Sequence, residues 1–127
     1  MLRKKEIGNV YWANSNLIDK SDKKTRRQYS VVKDNGKYVG IAKIRGFNNN
    51  KKNNERLFEL DIKKYPLTKR SGIDNKVYSK RSDNNKLLRI EDKQVFDKKP
   101  SFKLSSHDTH KAIIHTISNR RHKKGRS

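Results

Sequence analysis

Residues 24–44 read KTRRQYSVVKDNGKYVGIAKI, and this stretch predicts the centre of the fold. Its middle, Asp34-Asn35-Gly36, predicts a tight hairpin, because Asn-Gly supplies the positive φ angles that such a turn requires. The segments on either side, 27–32 and 38–44, are rich in β-branched residues and predict two strands that pair with each other. The sequence therefore places a β-hairpin at the centre of the molecule.

Two adjacent arginines, Arg26 and Arg27, stand at the mouth of the first of these strands. A rigid element in that position holds an arginine while its guanidinium group reaches solvent, as a phosphate-binding residue requires. We therefore expect the surface at this end of the hairpin to bind phosphate groups.

The rest of the chain predicts four more short strands and one helix. The strands are indicated by β-branched and aromatic residues at 7–13, 56–62, 77–79 and 86–91. The helix is indicated after a serine cap at 105 or 106, with Asp108 in its first turn, and it is predicted to end near Asn119. Six short strands and a C-terminal helix predict a mainly β fold, in the form of a small and strongly curved β-barrel.

Two polar segments and the single tryptophan complete the expected fold. Residues 14–24 and 48–54 are rich in Asn, Asp, Ser and Lys, so each is predicted to be a solvent-exposed loop. Trp12 is predicted to anchor the core, because a lone tryptophan more often packs inside a small domain than stacks on a base.

The composition favours a polyanionic partner. The 127 residues contain 34 lysines and arginines against 13 aspartates and glutamates, which gives a formal net charge of +21. A compact body with so much self-repulsion is stabilised by a polyanion, and nucleic acid is the expected one. The alternatives are a basic surface that meets an acidic protein and a chain kept soluble by its lysines. A groove that contacts about six to ten phosphates would make binding strongly salt-dependent.

The sequence does not support a disulfide-bonded protein, a membrane protein, or a protein with a metal or cofactor site. The chain has no cysteine, so disulfides and thiolate metal sites are excluded and a reducing cytosol suits it. No apolar run approaches the length of a membrane span, so a cytoplasmic protein without a membrane partner is expected. His110 and His115 point apart at helical spacing, no glycine-rich fingerprint is present, and neither metal nor cofactor is expected. Binding or cleavage of a phosphodiester remains.

Metal-free RNA cleavage needs a base for the 2′-hydroxyl, cations for the developing phosphorane charge and an acid for the leaving 5′-oxygen. Arg26, Arg81 and Asp83 are the candidate catalytic residues, provided that the fold brings them together. The two arginines suit charge stabilisation, and Asp83 suits a base or a group that orients one. The alternative interpretation of Arg81-Ser82-Asp83 is a charged turn without chemistry.

Four short segments carry a resemblance to a known family. They are Gly8-Asn9-Val10-Tyr11-Trp12, Lys24-Thr25-Arg26 followed by Val31-Val32, Arg81-Ser82-Asp83 followed by Leu88-Arg89-Ile90-Glu91-Asp92, and Lys103-Leu104-Ser105. In this order and spacing the chain resembles the PemK/MazF family of toxin endoribonucleases over residues 6–118. It departs from the family at Arg27, where a proline is usual, and at Arg45, where many members carry Thr or Ser.

The resemblance implies a small SH3-like β-barrel domain over residues 1–119. The basic residues that follow the predicted helix end indicate a flexible tail over residues 120–127. It implies a sequence-selective, metal-independent endoribonuclease that cleaves single-stranded mRNA, the toxin of a type II toxin–antitoxin system. Arg26 falls on the family's catalytic arginine. The implied partners are RNA, an acidic antitoxin and a second copy of the chain in a homodimer.

The basic residues near these segments are the candidate nucleic-acid ligands: Lys24, Arg27, Arg45, Lys69, Arg70 and Lys80. The alternative to the enzyme is a non-catalytic RNA- or DNA-binding barrel protein of a mobile genetic element. Cleavage of RNA without divalent metal separates the two.

Overall fold

The computed structural model describes residues 6–125, and the side chains of residues 6–118 within that range. The chain is mainly β with a C-terminal helix, which confirms the predicted fold class. Six strands form the sheet: β1 (Asn9–Asn14), β2 (Arg26–Asp34), β3 (Val39–Gly46), β4 (Leu57–Glu59), β5 (Ser71–Asp74) and β6 (Phe102–Lys103). Two helices accompany it, α1 (Lys51–Glu55) and α2 (Ser106–Gly125), together with a 3-10 turn at Ser15–Leu17.

The sheet is antiparallel throughout, in the order β4-β5-β3-β2-β1-β6, and it curls into a small curved barrel. The hairpin predicted at its centre is confirmed. Gly36 has a φ of 87°, and the Asp34 side chain accepts a hydrogen bond from its amide at 2.9 Å. The register of β2 against β3 shifts between Val31 and Lys33, and such an irregularity increases the local twist.

Alternation along the central strands divides a small core between the two faces of the sheet. Tyr29 and Val31 of β2 lie in one buried cluster, with Tyr11, Ile41 and Phe96. Val32 lies in the other, with Val10, Ile44, Ile73 and Ala112 of α2. Since neighbouring residues of a strand point to opposite faces, β2 contributes to both clusters. Charged side chains replace apolar ones where β2 begins, and the candidate site lies there.

Three segments differ from their predicted structure. Residues 77–79 and 86–91 form single bridges, Ile41 with Tyr78 and Lys80 with Leu87, instead of strands. Residues 71–74 form β5 where the sequence predicts no strand, and β5 is paired on both sides by β3 and β4. This pairing requires Gly72, because a Cβ there would lie 2.7 Å from the Phe58 carbonyl oxygen. Tertiary pairing therefore overrides the weak local preference.

The two predicted loops also contain ordered structure. Residues 14–24 include the 3-10 turn, and Ser15 and Ile18 within them are buried. Residues 51–54 belong to α1, which is capped by the Asn50 side chain at the Asn53 amide, and Asn53 is buried. Both segments are ordered for the same reason, because their polar side chains form hydrogen bonds and ion pairs with residues of the sheet.

Helix α2 extends further than predicted, through Gly125 instead of ending near Asn119. The predicted basic tail at 120–127 is thus helical over residues 120–125, and residues 126–127 lie outside the described residues. Within the described part of the chain, no helix is both long enough and apolar enough to cross a membrane.

Candidate nucleic-acid interface

The candidate site is the end of the sheet where β2 begins and β3 finishes. Arg26 and Arg27 are adjacent, so strand alternation favours opposite faces of the sheet for their side chains. Arg27 lines two of the hollows at this end.

The first hollow, here named the tryptophan groove, is lined by Trp12, Lys24, Arg26, Arg27, Gln28 and Lys69 together with smaller residues. Trp12 is 40% exposed, so its prediction as a core anchor is wrong. The neighbouring Tyr11 is buried against Phe96 instead, and alternation leaves Trp12 on the other face. An exposed indole among four cations is suited to stacking with a base beside bound phosphates.

Arg26 lies over the Trp12 ring, with its guanidinium carbon 5.9 Å from the ring centroid. One of its terminal nitrogens also donates to both carboxylate oxygens of Asp97, each at 2.9 Å. About half of each side chain in this pair is exposed (52% and 45%). An exposed ion pair of this kind contributes only about 0–1 kcal/mol, so a phosphate can replace Asp97 at little cost.

Two lysines complete the cationic rim of the tryptophan groove. Lys24 lies two residues before the start of β2, and Lys69 lies two residues before the start of β5; both are exposed. The stem of Lys69 lies against Gly46 at the end of β3, where a Cβ would approach its Cε to 2.5 Å. The glycine therefore leaves room for the lysine to reach over the groove.

The second hollow, here named the charged basin, is lined by six cationic side chains and three carboxylates. The cations are Lys23, Arg27, Lys43, Arg45, Arg56 and Lys76, and the carboxylates are Asp19, Asp22 and Asp74. Lys43 is buried in β3 and donates to Asp19 at 2.8 Å and to Asp22 at 2.9 Å. The basin therefore keeps a net charge of +3 although most of its charges are paired.

Asp22 is the most buried carboxylate of the basin, with a side chain 1% exposed. Burial alone would raise its pKa, but hydrogen bonds from Arg27 and Lys43 outweigh burial and lower the pKa to about 2. The pKa of Asp19 is also lowered, since Lys43 and Ser21 outweigh its burial. Both groups are ionised near neutrality and are weak proton acceptors.

Asp74 joins the two arginines at the other side of the basin. It accepts from Arg45 at 2.8 Å and from Arg56 at 3.1 Å, and Arg45 also donates to Asn53. These cations outweigh burial and lower the pKa of Asp74. Tyr78 closes the basin and donates to Asp19 at 3.2 Å; burial, and then the charge of Asp19, raise its pKa.

The predicted catalytic residues are divided between two ion-pair systems. Arg81 donates twice to Asp83, at 2.9 and 2.6 Å, and also to Asp92 at 2.8 Å and Gln94 at 2.9 Å. These contacts occupy four of the five donors that a guanidinium has. The hydrogen bond from Arg81 lowers the pKa of Asp83. Arg81 and Asp83 thus lie together, but the described contacts join neither of them to Arg26.

Arg26 nevertheless approaches the Arg81 cluster through a shared hollow. It lines a hollow between β2 and residues 93–97, and Gln94, the acceptor from Arg81, lines the same hollow. The catalytic roles of Arg26, Arg81 and Asp83 stay predictions.

The remaining predicted ligands are distributed over the surface. Lys24, Arg27 and Lys69 line the tryptophan groove, and Arg27 and Arg45 line the charged basin. Arg70 pairs with Glu59 at 2.7 Å and lies over the Phe47 ring, 4.3 Å from its centroid. Lys80 is exposed and bridges Leu87 through its backbone. Arg70 and Lys80 line neither hollow.

Sequence reasoning missed Lys43, Asp19 and Asp22. A lysine inside the apolar run of residues 39–44 was the available signal, because a buried lysine needs carboxylate partners. The partners themselves were hidden in a lysine-rich segment that reads as a solvated loop.

Among residues 6–118, no group of three or more acidic, histidine or cysteine side chains is placed to hold a metal ion. The resemblance to PemK/MazF toxins stays a prediction. Comparisons with models of known protein families, with curated proteins and with solved structures find no match to the chain.

Proposed function

We propose that the protein binds single-stranded RNA in the tryptophan groove. The observation that carries the proposal is the half-exposed indole of Trp12, which lies under Arg26 and lines the same groove as Lys24 and Lys69. Stacking of a base on an aromatic side chain contributes about 1–3 kcal/mol, and it does not require a particular base.

A single strand is favoured over a duplex because stacking on Trp12 requires a base that is free of its own neighbours. In an RNA duplex the bases are stacked on each other, and side chains reach mainly phosphates and 2′-hydroxyls. The cations of the rim contribute to the binding of both single strands and duplexes, whereas the indole contributes only to the binding of single strands.

The test uses the fluorescence of Trp12, the only tryptophan in the chain. A mixed-sequence RNA 12-mer is expected to quench it, and the same sequence as a duplex is expected to bind at least about tenfold more weakly. Trp12→Ala, followed by gel shift, is expected to lose about tenfold in affinity for the single strand only. Equal binding of single strand and duplex by the wild type would contradict the proposal.

A second candidate, endoribonuclease activity of the PemK/MazF type, is favoured by the position of Arg27 in both hollows. A strand in the tryptophan groove would bring a neighbouring phosphate to Arg27 and Arg45. There the 2′-hydroxyl loses its proton to water and its oxygen attacks phosphorus, while the guanidiniums stabilise the phosphorane charge. The bond from phosphorus to the 5′-oxygen then breaks and water protonates that oxygen, which gives a 2′,3′-cyclic phosphate and a 5′-hydroxyl. Since Asp19 and Asp22 are weak bases, the basin would act mainly through charge stabilisation.

Cleavage is tested with EDTA-treated protein and a long labelled transcript. Arg45→Ala is expected to slow cleavage by about 10²-fold or more while the single strand still shifts on a gel. Arg70→Ala, which removes the same charge outside both hollows, serves as the control. A transcript that remains intact while it is fully bound would leave RNA binding as the function.

The acidic antitoxin and the homodimer belong to the same proposal. An acidic polypeptide would compete with RNA for the cations of the tryptophan groove, because both carry closely spaced negative charges. Displacement of RNA by the acidic protein, and the mass in solution by light scattering, test these two partners.

A further inference from the structure

We infer that Gln28 is a specificity-determining residue of the tryptophan groove, which favours a base with an exocyclic amino group over uracil. The inference rests on the proposed binding of single-stranded RNA. It depends on where Gln28 lies, on which atom of its amide faces the groove, and on what that atom can recognise.

Gln28 lies directly beside the stacking position. It is the register partner of Trp12 across β1 and β2, and both side chains line the groove. Directly opposed residues of antiparallel strands have Cβ atoms about 4.5–5.5 Å apart. A base stacked on the indole therefore presents one edge to the Gln28 amide.

The orientation of the amide is determined by Ser101. The Ser101 hydroxyl is 3.2 Å from the Val10 carbonyl oxygen, which can only accept, so its single hydrogen is used there. Ser101 Oγ can then only accept from Gln28, whose Nε2 lies 3.0 Å away. The opposite orientation of the amide would make Ser101 choose between two acceptors and lose one hydrogen bond. Nε2 is therefore held by Ser101, and Oε1 is left for the groove.

Among the described residues, no donor forms a hydrogen bond to Gln28 Oε1, which leaves this oxygen as an acceptor for a bound base. Gln28 is half-buried as a residue, but its amide hydrogen bond to Ser101 is exposed, so a base bound in the groove can reach the amide.

An isolated acceptor distinguishes cytosine from uracil, which have the same ring size. Cytosine presents an amino group at N4 that donates to Oε1. Uracil presents a carbonyl oxygen there, and its one N–H lies between two carbonyl oxygens that repel Oε1. One hydrogen bond gained and one repulsion avoided correspond to about a tenfold difference in affinity.

The experiment compares the RNA homopolymers C9 and U9 by quenching of Trp12 fluorescence at one fixed salt concentration. The wild type is expected to bind C9 about tenfold more tightly than U9. Gln28→Leu is expected to bring the ratio of the two dissociation constants close to one. Ser101→Ala is expected to reduce the ratio as well, because the freed amide can rotate and present Nε2 to uracil.

Gln28→Glu is the conservative variant that separates recognition of the base by a hydrogen-bond acceptor from a contribution of side-chain packing. Its carboxylate can only accept, so the preference for C9 is expected to persist although the negative charge weakens binding to both strands. Equal affinities of the wild type for C9 and U9, with both quenching, would overturn the inference and leave the proposed function standing. Failure of both strands to bind would overturn the two together.

Discussion

Arg26 and Arg81 show how differently two arginines of one predicted site are bound. Arg26 is half exposed and shares one nitrogen with Asp97, so most of its donors face solvent. Arg81 is 8% exposed and uses four donors on Asp83, Asp92 and Gln94. The first arrangement suits a ligand-binding residue, and the second suits a residue that holds two turns together.

Arg26→Ala is expected to weaken binding of single-stranded RNA by about tenfold without changing the free energy of unfolding, because its ion pair is exposed. The control is Lys37→Ala, which removes the same charge beyond the other end of β2 and is expected to leave affinity unchanged. Asp97→Ala frees the guanidinium and is expected to keep or increase affinity. Affinity by fluorescence titration and stability by urea unfolding provide both measurements.

Arg81→Leu is expected to lower the free energy of unfolding by about 1–3 kcal/mol, because three partners lose their charged donor at a partly buried position. Urea unfolding measures the change. RNA affinity below the unfolding transition is expected to match the wild type. A variant with normal stability that still binds RNA but no longer cleaves it would instead support the catalytic role predicted for Arg81.

At the scale of elements, the segment between β1 and β2 is held against β3 by charge. Asp22 accepts from Arg27 of β2 and from Lys43 of β3, and Asp19 accepts from Lys43 and Tyr78. Few apolar contacts are available here, since Ile18 alone of this segment is a buried apolar residue. The position of the charged basin therefore depends on ionised carboxylates.

The stability of the fold is expected to decrease in acid for this reason. The pKa of Asp22 is about 2 in the folded chain against an ordinary value of 3.8. A carboxyl group whose pKa is lowered in the folded chain stabilises the fold at pH values above its ordinary pKa. For Asp22 this contribution is about 2 kcal/mol, and it is lost as the pH falls towards 2. Urea unfolding between pH 7 and pH 2 measures the slope. Asp22→Asn is expected to flatten it, and an unchanged slope would contradict the interpretation.

At the scale of the whole molecule, the net charge of +21 overstates how many cations one bound strand meets. All seven arginines with described side chains are paired with a carboxylate, Arg26 among them through its exposed pair with Asp97. The rim of the tryptophan groove offers Lys24, Arg26 and Lys69. The remaining charge acts at longer range and increases the rate of association.

The salt dependence of binding is expected to reflect the rim and not the net charge. Three phosphate contacts with a single strand predict a slope of about −2 in a plot of log affinity against log salt. The six to ten contacts expected from composition would give a slope steeper than about −4. Arg26→Ala is expected to reduce the slope by about 0.7, whereas Lys37→Ala leaves it unchanged. Titrations from 50 to 200 mM salt distinguish these outcomes.

Local sequence determined the centre of the fold. Asn35-Gly36 set the hairpin, and the runs around it set β2 and β3, because turn geometry and β-branched side chains act over a few residues. The serine cap and Asp108 likewise located the start of α2. Composition alone indicated a polyanionic partner, since net charge does not depend on the fold.

Only the tertiary structure decided which side chains share a surface. Trp12 lines the groove because the neighbouring Tyr11 is buried in the core and adjacent residues of β1 point to opposite faces. Arg81 is buried because it forms an ion pair with Asp92, which lies eleven positions away in the sequence. Lys43 is buried because the distant Asp19 and Asp22 fold over it. These choices depend on pairings between residues far apart in sequence, and local preferences carry no information about such pairings.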